Sequence, residues 1–145
     1  MIKRSFLSLA ALAAVTFIGF GGEAQAAGTL VNVTMYDSGA GMEIITDRNR
    51  AEAGPVSFAA KNMSPGELQH EMLIVKVKGD TPNLPYDEAT DRIPEDKIKS
   101  LGEVPEIDAG EGGALTLDMT PGTYLLFCNK PGHYKAGMKH LFYVQ

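Results

Sequence analysis

The sequence is short of the residues that usually staple or crowd a small protein. In 145 residues it has one cysteine, no tryptophan and three histidines. One cysteine excludes an internal disulfide, so any core must be built from apolar packing alone. Basic residues are outnumbered, 13 against 18, for a formal net charge of −5, which argues against a general nucleic-acid binder. No internal repeat is visible. The one long apolar run, Phe6 to Phe20, reaches only about 15 residues, short of the ~20 that cross a bilayer.

That run is flanked by Lys3 and Arg4 before it and by Ala24-Gln25-Ala26 after it. A positive start, a short apolar stretch and a small-residue site make a secretory signal peptide, residues 1–26, with cleavage before Ala27. The expectation is an exported or periplasmic chain with no stable membrane insertion after cleavage. What remains is a single domain, 27–145, long enough to bury a core. Losing Lys3, Arg4 and Glu23 takes the net charge from −5 to −6. Exported compartments are oxidising, and an exposed free thiol is a liability there. Cys128 is therefore expected to be buried or to have its sulfur held by a metal.

From Thr29 the chain reads as β. Leu30, Asn32 and Thr34 alternate with Val31, Val33 and Met35, giving an apolar face of period two. Met42 to Thr46, Pro55 to Lys61, His70 to Lys78, Ala114 to Met119, Thr123 to Cys128 and Lys139 to Val144 follow as further strands, punctuated by Gly and Pro turns. In the fourth, Leu73, Val75 and Val77 are expected on the core face. His70 falls out of step with them, so a frayed end or a bulge is expected there. Short strands with little helix predict an all-β, Greek-key sandwich or barrel.

Residues 80–111 differ in character. They hold ten acids, three bases and four prolines. Pro94 to Leu101, with Gly102 beyond, has the punctuation of a short helix. The stretch is read as a helical insertion outside the sandwich, chiefly a solvated face, with enough charge to steer a cationic partner.

The chemistry-bearing residues concentrate in the last eighteen positions, Cys128 to Gln145. The pattern is Cys128-x4-His133-x4-Met138 on a Pro-Gly-containing loop. A thiolate, an imidazole and a thioether suit a soft-ligand ion such as copper, provided a second imidazole arrives, for which His70 is the natural candidate. Zinc also accepts Cys and His, although it usually takes four firm N, S or O ligands. One cysteine excludes a thiolate-bridged copper pair, and three histidines are too few for a multicopper oxidase. Alone, Cys128 and Met138 would read as core packing, and a Cys128/His133 nucleophilic pair lacks an identifiable oxyanion site. His140 and Tyr134 read as packing or surface residues. Met35, Met42, Met63, Met72 and Met119 are too scattered for a methionine tract.

These residues resemble the cupredoxins, the small blue copper proteins. Ala114-Leu-Thr-Leu and Pro121-Gly-Thr-Tyr-Leu-Leu-Phe-Cys128 are similar to the family's penultimate strands, Pro131-Gly-His133 with Met138 five residues on to its ligand loop, and His70 with its apolar strand to its first-ligand region. The resemblance implies one type-1 copper per chain, with His70, Cys128 and His133 equatorial and Met138 axial. Two positions depart from the family's pattern. Glu71 stands where Asn commonly ties the two ligand loops together, leaving that tie to Asn62, and Leu126 stands where an aromatic is common.

The resemblance further implies a non-enzymatic, monomeric electron carrier that meets a redox protein partner transiently, such as a cytochrome, an oxidase or a reductase. Electrons would pass at His133, with Phe127 offering a second route. Cys128 to Gln145 contains no acid and three lysines. Pro131 and Gly132 with Lys130, Lys135 and Lys139 are the expected docking collar. The alternative is a copper-binding protein for tolerance, storage or delivery, which the Pro131-Gly-His-Tyr-Lys-Ala-Gly-Met138 loop also fits.

Overall fold

The structure is a computed structural model that describes residues 28–145; the expected signal peptide, 1–26, lies outside the described residues. Among the described residues nine strands run in chain order: β1 Thr29–Asp37, β2 Met42–Thr46, β3 Arg50–Ala51, β4 Gly54–Asn62, β5 His70–Val77, β6 Ser100–Ile107, β7 Gly112–Met119, β8 Gly122–Phe127 and β9 Lys139–Val144. They form two sheets, ordered β2-β1-β4-β7 and β3-β9-β8-β5-β6. Most neighbours are antiparallel, and β1/β4 and β3/β9 are parallel. Among the described residues no helix is long and apolar enough to cross a membrane.

The alternation read from the first strand is realised: Val31, Val33 and Met35 turn into the sandwich. They meet Phe58, Met72, Ile74, Leu126 and Phe142 in one cluster that also includes Cys128 and Met138. Phe58 and Phe142 pack edge to face at 5.3 Å. Burying such rings is worth roughly 3–5 kcal/mol apiece when truncation to Ala is the measure. Gly113 marks a tight approach of β7 to β6, since a Cβ there would lie 2.6 Å from Val104 Cγ1.

Three expectations are corrected. The 80–111 stretch is not wholly outside the sandwich, because Ser100–Ile107 is a strand paired with β5. The helix expected at Pro94–Leu101 contracts to one 3-10 turn, Glu95–Lys97. Pro94 leads in from an extended conformation and Ile98 leaves in one, so the turn cannot propagate. Leu73 and Val75 do not face the main core. They join Leu125, Phe127, Tyr134 and Ile93 in a second cluster on the other face of the sheet, beneath residues 84–98. β5 is thus buried on both faces, which is why its apolar run is nearly continuous.

This also resolves the parity of His70. It shares the inward face with Met72 and Ile74, and its pairing with β6 is interrupted by a register shift between His70 and Met72. A bulge of this kind re-aims a side chain at a sheet end.

Candidate metal centre

Chain order brings the candidate ligands to one end of the sandwich. β5 begins at His70, and β8 ends just before Cys128 on the adjacent strand, with Leu73 opposite Phe127. The loop after Cys128 then folds back as a tight turn. His133 N–H donates to Lys130 O at 3.0 Å, Ala136 N–H to Gly132 O at 2.9 Å and Met138 N–H to His133 O at 3.0 Å. Gly132 and Gly137 adopt positive φ of 81° and 103°, which L side chains adopt at a cost. Cys128 N–H closes the loop on Met138 O at 3.0 Å, so the buried Met138 lies beside the cysteine.

Three donor atoms converge. His70 Nδ1 and His133 Nδ1 are 3.2 Å apart, and Cys128 Sγ is 3.9 Å from the first and 3.3 Å from the second. These three residues form a group able to hold a metal ion, and all three are buried. Atoms so spaced suit an ion bonded to each at about 2.0–2.3 Å.

The electrostatics fit a cation. Burial, with the neighbouring His133 second, lowers His70 to about 4. Burial and then Lys130 lower His133 as well. Both imidazoles are therefore neutral near pH 7, with lone pairs available. Burial pushes the Cys128 thiol up to about 11, against the opposing pull of the Glu71 and Lys130 backbone N–H groups on its sulfur. Two N–H donors directed at a sulfur stabilise a thiolate far more than a thiol. Such a thiolate still needs a positive partner when buried. Two neutral imidazoles, a buried sulfur served by N–H groups and an adjacent thioether residue are the donor set that copper prefers and that zinc rarely completes.

The supporting residues were only partly legible. Ser64 Oγ lies 2.7 Å from His70 Nε2 and accepts Asp37 N–H at 2.9 Å. Asn62 holds this loop: its Oδ1 accepts Ser64 N–H, and its Nδ2 donates to Leu68 O and Ile107 O. Asn62 thus braces His70 through Ser64, while the direct link to the cysteine is the Glu71 backbone N–H. The Asn62-x-Ser64 spacing, an Asx-type turn, was the available sequence signal for Ser64. Glu71 itself is buried, with Oε1 lacking a hydrogen-bond partner and its carboxyl raised by burial.

Of the residues expected to dock a partner, Pro131 is exposed and Gly132 half-buried. The lysines are engaged. Lys130 pairs with Glu106 at 3.2 Å, Lys135 pairs with Glu88, and Lys139 Nζ stands 4.3 Å over the Tyr134 ring. His140 is apart from the centre, with Nε2 2.9 Å from Thr46 Oγ1.

No family model matches the chain. Among curated proteins, Auracyanin-B of Chloroflexus aurantiacus is 47% identical over 47 residues, a segment that is 32% of this chain and only 20% of that protein. Among solved structures, auracyanin A, described as a "blue" copper protein from the green thermophilic photosynthetic bacterium Chloroflexus aurantiacus, superposes with a TM-score of 0.55 at 25% identity, over 80% of this chain and 99% of its own. Rusticyanin from Thiobacillus ferrooxidans matches with a TM-score of 0.56 at 21% identity, over 82% and 79% respectively. The chain has the cupredoxin fold. Within that cupredoxin frame, the converging His70, Cys128 and His133 stand at one end of the sandwich.

Proposed function

We propose that this chain is an exported type-1 copper protein that carries single electrons between redox partners. The observation that carries the reading is the convergence of His70 Nδ1, Cys128 Sγ and His133 Nδ1 within 4.8 Å of one another in a buried pocket of neutral imidazoles. Met138 is the proposed axial ligand, supported by its burial and by its backbone bond to Cys128. Copper held there supplies a one-electron Cu(II)/Cu(I) couple.

The chain's own residues then do three things. His70 is fully buried and anchored through Nε2 by Ser64, so its ring is fixed. The Glu71 and Lys130 N–H groups lower the cost of an anionic sulfur, which burial opposes and a bound cation would complete. His133, with 8% of its surface exposed, is the ligand through which an electron reaches the surface. Four protein donors leave no open position for a substrate, which supports a carrier rather than an enzyme; the fold alone does not decide this. The docking face is the surface around His133, with Pro131 and Gly132 at its centre and Lys130, Lys135 and Lys139 around it. It would engage a cytochrome, oxidase or reductase in a small, transient contact. Export rests on the Lys3-Arg4 start and the Ala24-Gln25-Ala26 site.

The test is a visible spectrum of the copper-loaded, oxidised protein, with its electron self-exchange rate. An intense thiolate-to-copper band with fast, reversible exchange is expected. A colourless copper adduct would overturn the site. A coloured protein with sluggish exchange would shift the reading to copper tolerance, storage or delivery. N-terminal sequencing of the exported protein should begin at Ala27.

A further inference from the structure

We propose that residues 86–95 form a clasp that holds the ligand loop in its metal-binding conformation, with Asn129 as the positioning residue that receives it. The inference deepens the copper reading and rests on it for its functional meaning. The sequence suggests a solvated acidic connection here, yet the segment meets the loop at four successive places. The Ile93 N–H donates to Asn129 Oδ1 at 2.8 Å, and Asn129 Nδ2 donates to Ile93 O at 3.0 Å. Gly132 N–H donates to Asp91 O at 2.8 Å. Lys135 pairs with Glu88. Tyr86 stacks on Tyr134 at 6.1 Å, with 27° between the ring planes, and Tyr134 meets Phe127 edge-on at 5.5 Å.

The clasp is built before it grips. Asp87 and Arg92 exchange backbone hydrogen bonds at 2.8 and 3.3 Å, closing a tight hairpin. Within it, the Asp87 carboxylate accepts the Ala89 N–H and the Thr90 hydroxyl. Asp91 has φ of 53°, a left-handed conformation that Asp tolerates better than most residues. Ile93, buried with Leu73, Val75, Leu125 and Phe127, pins the segment to the sheet.

The gripped positions matter because of their neighbours. Asn129 directly follows Cys128, and Gly132 directly precedes His133. Holding both from outside fixes the backbone on each side of the sulfur and the imidazole. Donors fixed by a surrounding shell keep their geometry whether or not an ion is present. A loop lacking the clasp could relax around the ion after each electron transfer and would open more readily to release it.

Two variants test this from opposite sides. Asn129→Ala removes the receiver, and Tyr86→Ala with Glu88→Gln weakens the clasp without touching the ligand loop. Amide hydrogen exchange of the metal-free protein is the first readout. In Asn129→Ala the Gly132, His133 and Ala136 amides should exchange about tenfold faster, the scale of losing one or two net hydrogen bonds. The Leu125 and Leu126 amides of β8 should be unchanged. Copper release to a chelator from the loaded protein should speed up by a similar factor. The double variant should shift both readouts the same way by a smaller factor, and it decides the matter if Asn129→Ala does not fold. Loop amides that keep their rates, or loop and strand amides that quicken equally, would overturn the clasp. Failure of the chain to take up copper would sink the electron-carrier reading, while the metal-free exchange would still decide whether the clasp holds the loop.

Discussion

The two imidazoles of the centre sit in opposite surroundings. His70 has no exposed surface. It opens a strand flanked by two others, and its far nitrogen meets Ser64, which is braced in turn by Asn62. His133 keeps 8% of its surface in solvent and sits on a turn closed by two positive-φ glycines. One region is an anchor and the other a window. The difference follows from chain topology: a side chain that begins an interior strand inherits the rigidity of the sheet, whereas one on a loop needs holding from outside. The hairpin at 87–92 and Asn129 supply that holding.

Both regions meet at Cys128, and its removal should have the largest effect. Cys128→Ser should abolish the intense visible band of the copper-loaded protein, because a hydroxyl cannot supply thiolate-to-copper charge transfer. Retention of the band in that variant would remove the sulfur from the site.

The next test separates anchor from window by pH. In the metal-free folded protein His70 titrates at about 4, whereas in the unfolded chain it titrates near 6.5. Between those values the unfolded state binds the extra proton, so stability is fully present above about pH 6.5 and is lost as pH falls towards 4. The shift is worth at most about 3 kcal/mol. His133 is lowered too and acts in the same direction. Glu71, raised by burial, acts in the opposite one. Urea unfolding of the metal-free protein across this window should show the fall, and His70→Gln should flatten most of it. An unchanged slope in that variant would mean that His70 is not the protonation-sensitive anchor.

A smaller effect is expected one step further out. Ser64→Ala leaves His70 Nε2 and the Asp37 N–H without their shared partner in a buried place. The loss should be about 1–3 kcal/mol, read by denaturant unfolding of the metal-free form. The visible band should also shift as the His70 ring loosens. No change in either would show that the sheet alone fixes the ring.

The candidate donors stood out because their types are rare in this chain: one cysteine, and three histidines of which two, His133 and His140, follow it in the terminal stretch. The strands were legible where one face is buried, as with Val31, Val33 and Met35. Where both faces are buried a continuous apolar run carries no parity, so the pattern shows that Leu73 and Val75 are buried but not that they belong to the second cluster rather than the one inside the sandwich. Ser100–Ile107 was hidden by its composition, a strand carrying two glutamates, a glycine and a proline on an edge of the sheet. The role of residues 86–95 was invisible because much of it rests on backbone groups, Asp91 O, Ile93 N and Ile93 O, which no side chain advertises.

The least effect is expected from the lysines around the window, and here the form of the experiment matters more than its size. The terminal stretch is basic by sequence, but Lys135 is paired with Glu88 and Lys130 with Glu106. Seen from beyond a Debye length, about 8–10 Å, each pair is nearly neutral. Lys135→Gln alone uncovers Glu88 and should slow association with an acidic redox protein by about twofold at low ionic strength. Lys135→Gln together with Glu88→Gln changes no net charge and should restore the rate. If the double variant is as slow as the single one, the lysine acts by direct contact with the partner. The docking face would then be a basic collar in its own right, and its charge would not be cancelled by the acidic segment beside it.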